Sequence, residues 1–207
     1  NIGLGKLSLK EAKELLSCEC ELKLDSVIFK SPNNSEIINF FKRTQSTVSL
    51  SLFLSSFKEA EDINFNVKEL FNGSNIKELS FKLEITGVKG NENRIELGRQ
   101  IYPMVTKHFK ESNIDLKLDF KKPDIIFQVY FTGEEYLIGL RLNDKDFDGR
   151  TYRLFSHQAS FKGDFAYKIL RNSKVKKGEK TLFLLSKDSV LPIEAALYVH
   201  GSMVRKI

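Results

Sequence analysis

The 207-residue sequence has no tryptophan, two cysteines and three histidines, and each shortage excludes something. Without Trp, an apolar core must be built from Phe, Leu and Ile, and phenylalanine is abundant at 17 copies. Cys18 and Cys20 lie two apart in a segment with strand periodicity, which points their side chains to opposite faces. A disulfide between them would be badly strained, and no Cys or His pair stands nearby to complete a zinc site. Two structural thiols in a reducing compartment are expected. His108, His157 and His200 are far apart in sequence, so no metal site is expected. No apolar run reaches the roughly 18 residues of a membrane-spanning helix. Leu4 and Leu7 are separated by Gly and Lys, unlike the apolar stretch of a signal peptide. The expectation is a soluble, cytoplasmic protein with no membrane partner.

What is present is an ordinary globular mix, 41% hydrophobic and 29% charged. The net charge of +6 is unevenly placed. Residues 1–70 carry nine basic and ten acidic residues, a net of −1, and residues 71–145 carry twelve against eleven, a net of +1. The last 62 residues carry twelve against six, so the whole excess sits there. That favours a localised basic surface, although a solvated charged face gives the same count.

Periodicity divides the chain into three segments. In residues 1–72, Ser8 and Glu11 form a capping-box pair ahead of a helix through Leu16. Cys20, Leu22 and Leu24 alternate as a strand, Ile37 to Phe41 suit a short helix, and Thr47 to Phe57 is β-rich. Mixed elements in so short a span suggest a ferredoxin-like sandwich. Residues 73–147 contain a strand at Phe81–Ile85 and a Gly/Asn-rich loop. A helix follows over about Arg94 to Lys110, burying Ile95, Leu97, Ile101, Val105 and Phe109 and interrupted by Pro103. A further strand and a hairpin around Thr132-Gly133-Glu134-Glu135 complete it. Residues 148–207 begin with a dense polar and aromatic run, then a helix through Ala166, Tyr167 and Leu170, a Lys-rich linker, strand-like Leu182 to Leu185, and a helix over Glu194 to Val199. That last strand, loop and helix look like the opening of a Rossmann-type domain. One such unit cannot bury both faces of its strand, so it must lean on another domain or a second copy.

Three places carry a family resemblance. Arg43-Thr44-Gln45-Ser46-Thr47-Val48 with Phe57 and Glu61-Asp62-Ile63, then Ser80 to Glu84 through Leu97-Gly98-Arg99, are the first two. The third is Gly149 to Tyr167, with Arg150, Tyr152, Arg153, Phe155, His157, Ala159 and Ala166-Tyr167. Together these resemble the THUMP-containing RNA guanine-N2-methyltransferases. The resemblance implies an α+β chain: an N-terminal ferredoxin-like domain at 1–72, a THUMP α/β domain at 73–147, and a linker with a vestigial, truncated Rossmann-type βα start at 148–207. It also implies a grip on the single-stranded end of tRNA.

Departures run alongside. Gln158 stands where the family has Pro, and Asn1-Ile2-Gly3-Leu4 resembles the turn after the family's first strand. Pro192 to Leu197 matches the helix that follows the family's S-adenosylmethionine loop, yet Phe183 stands where an acid is expected and Lys187, Asp188 and Ser189 cover the glycine positions. The four prolines are never adjacent, so the family's Pro-Pro-aromatic catalytic motif is absent from these residues. The sequence is therefore read as an RNA-binding chain with no catalytic residue and no cofactor, and so not itself an enzyme: an adaptor for a modification enzyme. The alternative is the RNA-binding part of a tRNA guanine-N2-methyltransferase whose catalytic domain is missing or supplied in trans. A catalytic subunit, or a homodimer formed through the C-terminal βα unit, is the expected protein partner.

Candidate RNA contacts are Lys89, Arg94 and Arg99 around a helix start, where amides and the helix dipole favour phosphate. Arg150, Tyr152, Arg153, His157 and Lys162 in the signature run complete the set. Arg150, Tyr152 and Arg153 have a second reading, pairing with Asp146, Asp148 and Asp164 to order the linker. For His157 a structural hydrogen bond is favoured over catalysis.

Overall fold

A computed structural model describes residues 3–30, 33–72, 74–143, 150–153, 160–184 and 188–204. In chain order its elements are α1 (Gly5–Leu15), β1 (Cys20–Lys23), β2 (Ser26–Phe29), α2 (Asn34–Arg43) and β3 (Ser51–Phe57). A 3-10 turn at Ala60–Asp62 leads to α3 (Val67–Leu70), β4 (Glu78–Thr86), α4 (Asn91–Glu111), β5 (Asp115–Leu118), β6 (Ile125–Phe131) and β7 (Tyr136–Arg141). Two helices follow, α5 (Gly163–Ser173) and α6 (Val190–His200). The protein is mixed α/β, in two compact units: residues 1–50 with 145–207, and residues 51–144.

The unit of residues 51–144 is built on a five-stranded mixed sheet in the order β3-β7-β6-β4-β5. β4 runs parallel to both β5 and β6, while β6–β7 and β7–β3 are antiparallel. Alternation divides β4: Phe81, Leu83 and Ile85 join the core, and Lys82 and Glu84 take the other face. Leu97, Ile101, Val105 and Phe109, each four apart, give α4 one buried stripe against that core. Ile95 is two residues from Leu97, about 200° round the helix, and is exposed, which corrects its placement on the buried side. Phe127 stands edge-on to Phe81 and Phe109 at 5.7 and 5.9 Å, so Phe packing replaces the missing Trp. Pro103 is accommodated inside α4. Residues 51–72, read from sequence with the first domain, belong here because β3 pairs with β7 from Ser51 to Phe57. Gly139 permits that pairing: a Cβ there would sit 2.6 Å from the Leu52 carbonyl oxygen.

In the other unit, Ala12, Leu16, Phe40 and Leu50 form a small core with the β1–β2 hairpin. Ser8 and Glu11 do not cap α1, which begins at Gly5. Glu11 is instead buried, and its carboxylate accepts from Thr44 Oγ1 and Gln45 N at 2.8 Å, from Ser46 N at 2.9 Å, and from Ser46 Oγ. The opposed-thiol reading is also corrected. β1 starts at Cys20, leaving Cys18 in the preceding bend, and Cys20 Sγ donates to the Cys18 carbonyl at 3.6 Å. Both thiols are free and half-buried. Of the expected C-terminal strand and helix, α6 is present. Residues 181–184 form no strand, Leu182 and Leu184 are exposed, and Leu185 lies outside the described residues.

Candidate nucleic-acid interface

The loop from β4 to α4 is shaped by two glycines in the left-handed region, Gly87 at φ 82° and Gly90 at φ 84°. At Gly87 a Cβ would come 2.8 Å from the Phe131 carbonyl oxygen, so glycine is needed there. Gly90 caps α4 without a side chain, leaving the first-turn amides to solvent. Asn93 Nδ2 donates to Lys89 O at 3.0 Å and Arg94 Nε to Gly90 O at 3.3 Å, which folds the exposed Lys89 and Arg94 against one loop. Arg99 is exposed but five residues on, about 140° round the helix, and lies 3.7 Å from Glu96. Lys89 and Arg94 thus both stand at the start of α4, and Arg99 lies on another side of the helix.

The signature run lies elsewhere. Arg150, read as a phosphate clamp, has a fully buried side chain. Its Nε meets Glu194 Oε1 at 2.6 Å and its Nη2 donates to Gln45 O at 2.6 Å and to Glu194 Oε2 at 3.3 Å. Tyr152 OH donates to Glu194 Oε1 at 2.6 Å, and Gln45 Nε2 to Glu194 Oε2 at 2.6 Å. The phosphate-clamp reading of Arg150 needs correction, because its side chain is buried; the carboxylate it meets in this network is Glu194 on α6, and of the aspartates expected to pair with it Asp146 and Asp148 lie outside the described residues. Tyr152 joins the same network. Burial first, then the hydrogen bond to Glu194 and its charge, push the Tyr152 phenol well above its ordinary value. Arg153 is half-buried and Lys162 exposed at the start of α5, while His157, Asp146 and Asp148 lie outside the described residues. Asp164 is buried and its Oδ1 accepts from Phe165 N.

Sequence reasoning missed Glu11, Gln45 and Glu194. Glu194 had a signal, as the sole acid within the apolar α6; Glu11 had none, sitting among the exposed charges of α1. A second cluster was also missed: Arg171 grips Glu14 through two nitrogens at 2.6 and 2.7 Å and lies over the rings of Tyr167 and Tyr198. The bonded guanidinium holds the Glu14 carboxyl below its ordinary value. His108 has a structural place, its Nε2 3.0 Å from Ile63 O with Phe65 against the ring.

Among the described residues no group of three His, Cys, Asp or Glu could hold a metal, and no helix is long and apolar enough to cross a membrane. At the start of α6 the Asp188 carboxylate accepts from Val190 N at 3.3 Å and Ser189 takes φ 58°. Asp188 and Ser189 thus carry side chains at positions where the resemblance expects glycine, and Lys187 lies outside the described residues.

No protein-family model matches the chain. It is 28% identical over 206 residues to the tRNA (guanine(6)-N2)-methyltransferase of Archaeoglobus fulgidus, covering 96% of this chain and 52% of that protein. It is 31% identical over 109 residues to the protein of the same name from Methanocaldococcus jannaschii, covering 52% of this chain and 29% of that one. The crystal structure of SMU.472 complexed with SAH shares its fold at a TM-score of 0.69 and 15% identity, over 95% of this chain and 53% of that one. These findings overturn the expectation of a chain that is no enzyme, because the relatives are methyltransferases by name. The missing Pro-Pro motif and glycines speak only for these 207 residues, and the relatives extend well beyond the matched span. The chain is similar to the first of these tRNA (guanine(6)-N2)-methyltransferases over nearly its whole length and to the second over about half of it, and it spans about half of the first and less of the second.

Proposed function

We propose that this chain is the tRNA-engaging part of an S-adenosylmethionine-dependent tRNA (guanine-N2)-methyltransferase. The observation that carries this reading is the similarity to a tRNA methyltransferase along 96% of the chain. In this reading the unit of residues 51–144 takes the part of the THUMP module that the resemblance puts at 73–147, and residues 1–50 contribute to the ferredoxin-like domain that it puts at 1–72. Lys89 and Arg94 supply charge beside the open amides of α4, an arrangement suited to a phosphate of the unpaired tRNA end. Arg150 and Tyr152 act indirectly, by fixing α6 through Glu194. The donor supplies the methyl group when bound, and the described residues carry no step of its transfer.

The test is a titration of tRNA, intact and trimmed of its single-stranded terminus, at two salt concentrations. Binding should weaken on trimming and fall steeply with salt, since phosphate contacts release counterions. Affinity indifferent to trimming would sink the reading.

A further inference from the structure

We infer that Phe120 is a stacking platform for an unpaired nucleotide, flanked by Lys121 and Lys122 as phosphate contacts. This rests on the tRNA reading above and adds a contact that neither the resemblance nor the signature run indicated. Phe120 is 74% exposed, more than any other phenylalanine among the described residues. An isolated exposed apolar side chain is ordinary. This one differs in how it is held.

The loop of residues 119–124 leaves β5, passes β4 and enters β6, and both of its ends are tied to β4. Asp119 N donates to Phe81 O at 2.9 Å and Asp124 N to Ser80 O at 3.0 Å. Asp124 Oδ2 accepts from Ser80 N at 2.8 Å and Ser80 Oγ at 2.6 Å. Asp119 Oδ1 accepts from the amides of Lys121 and Lys122 at 2.8 and 3.0 Å. Pro123 restricts the remaining backbone freedom. The two loop carboxylates are therefore engaged at its base, both held below their ordinary values by these bonds. Lys121 and Lys122 are exposed, and neither forms an ion pair among the described residues.

A pinned loop that shows an exposed phenyl ring beside two exposed lysines has the chemistry of single-strand recognition: any base offers a face to the ring, and the cations take the neighbouring phosphates. Residues 51–144 carry 13 basic against 15 acidic residues, a net of −2, so bulk attraction is weak in this unit. Stacking must carry more of the contact than charge. Phe120 should matter more than either lysine.

The chain has no Trp, so Phe120→Trp in the full chain creates a sole tryptophan that can be excited selectively over the six tyrosines. Titrated with a short single-stranded RNA matching the tRNA acceptor end, its emission should be quenched in step with binding. Phe120→Ala should weaken binding about tenfold, and Lys121→Ala and Lys122→Ala should each flatten the salt dependence by about 0.7 in slope. Circular dichroism checks that the exposed substitutions leave the fold intact. If the unaltered chain binds RNA but Phe120→Ala binds equally well, or the Trp emission stays constant on saturation, this inference fails alone. If the unaltered chain binds no RNA, the proposed function fails with it.

Discussion

Arg150 Nε lies 2.6 Å from Glu194 Oε1, and both side chains are fully buried. Two segments 44 residues apart are thereby joined, with Gln45 and Tyr152 completing the hydrogen bonding of the carboxylate. Removing one partner strands the other charge without solvent. Arg150→Ala is expected to cost about 3–5 kcal/mol in urea unfolding, and Arg150→Met with Glu194→Met to recover much of it. A loss under about 1 kcal/mol, the size of a surface pair, would contradict the buried network.

Glu84 gives acid sensitivity to the sheet. Partial burial raises its carboxyl, but the Lys82 ammonium, the Arg141 guanidinium and Gln128 outweigh that and hold it below its ordinary 4.5. A depressed folded value contributes stability above pH 4.5 that is lost as pH falls through the folded value. Glu84→Gln should therefore be less stable than the parent at pH 7, with the gap closing below pH 4.5. Urea midpoints across that range check it, and a gap independent of pH would refute it.

Burial first, and then the neighbouring Cys18, push the Cys20 thiol up to about 11 from an ordinary 9.0. The thiolate is the nucleophile, so a Cys18→Ser chain, which retains the burial but loses the Cys18 contribution, should still alkylate at pH 8 more slowly than a free thiol. Mass spectrometry after an iodoacetamide pulse reads this directly; labelling at the free-thiol rate would show Cys20 to be unshielded.

Lys89 lies in the loop before α4 and Arg94 in the helix's first turn, bonded back to the loop at Gly90, whereas Arg99 lies further along the helix. Lys89→Ala and Arg94→Ala should each lower the salt slope of tRNA binding by about 0.7–0.9, and Arg99→Ala by less because Glu96 lies beside it. Equal effects at all three positions would argue for a diffuse charged face.

Much of the unit of residues 51–144 was legible from its pattern. The alternation of β4 and the four-residue spacing of Leu97, Ile101, Val105 and Phe109 are properties of single elements, and such periodicities mark faces directly. Ile95 was misplaced because an apolar residue can occupy an exposed turn without breaking the stripe. The candidate site was less legible. The exposed setting of Lys89 and Arg94 was readable because a glycine-bounded helix start is a local feature, whereas Arg150 and Tyr152 looked like surface groups in a polar run.

By itself the sequence determined the mixed α/β character, the Phe-built core and the likeness to RNA guanine-N2-methyltransferases, since composition, period and motif all lie along the chain. Only the tertiary structure decided which charges face water. Arg150 and Glu194, like Glu11 with Thr44, Gln45 and Ser46, meet across tens of residues. A buried charge is tolerated only where distant partners converge on it. That convergence belongs to the fold and has no period along the chain.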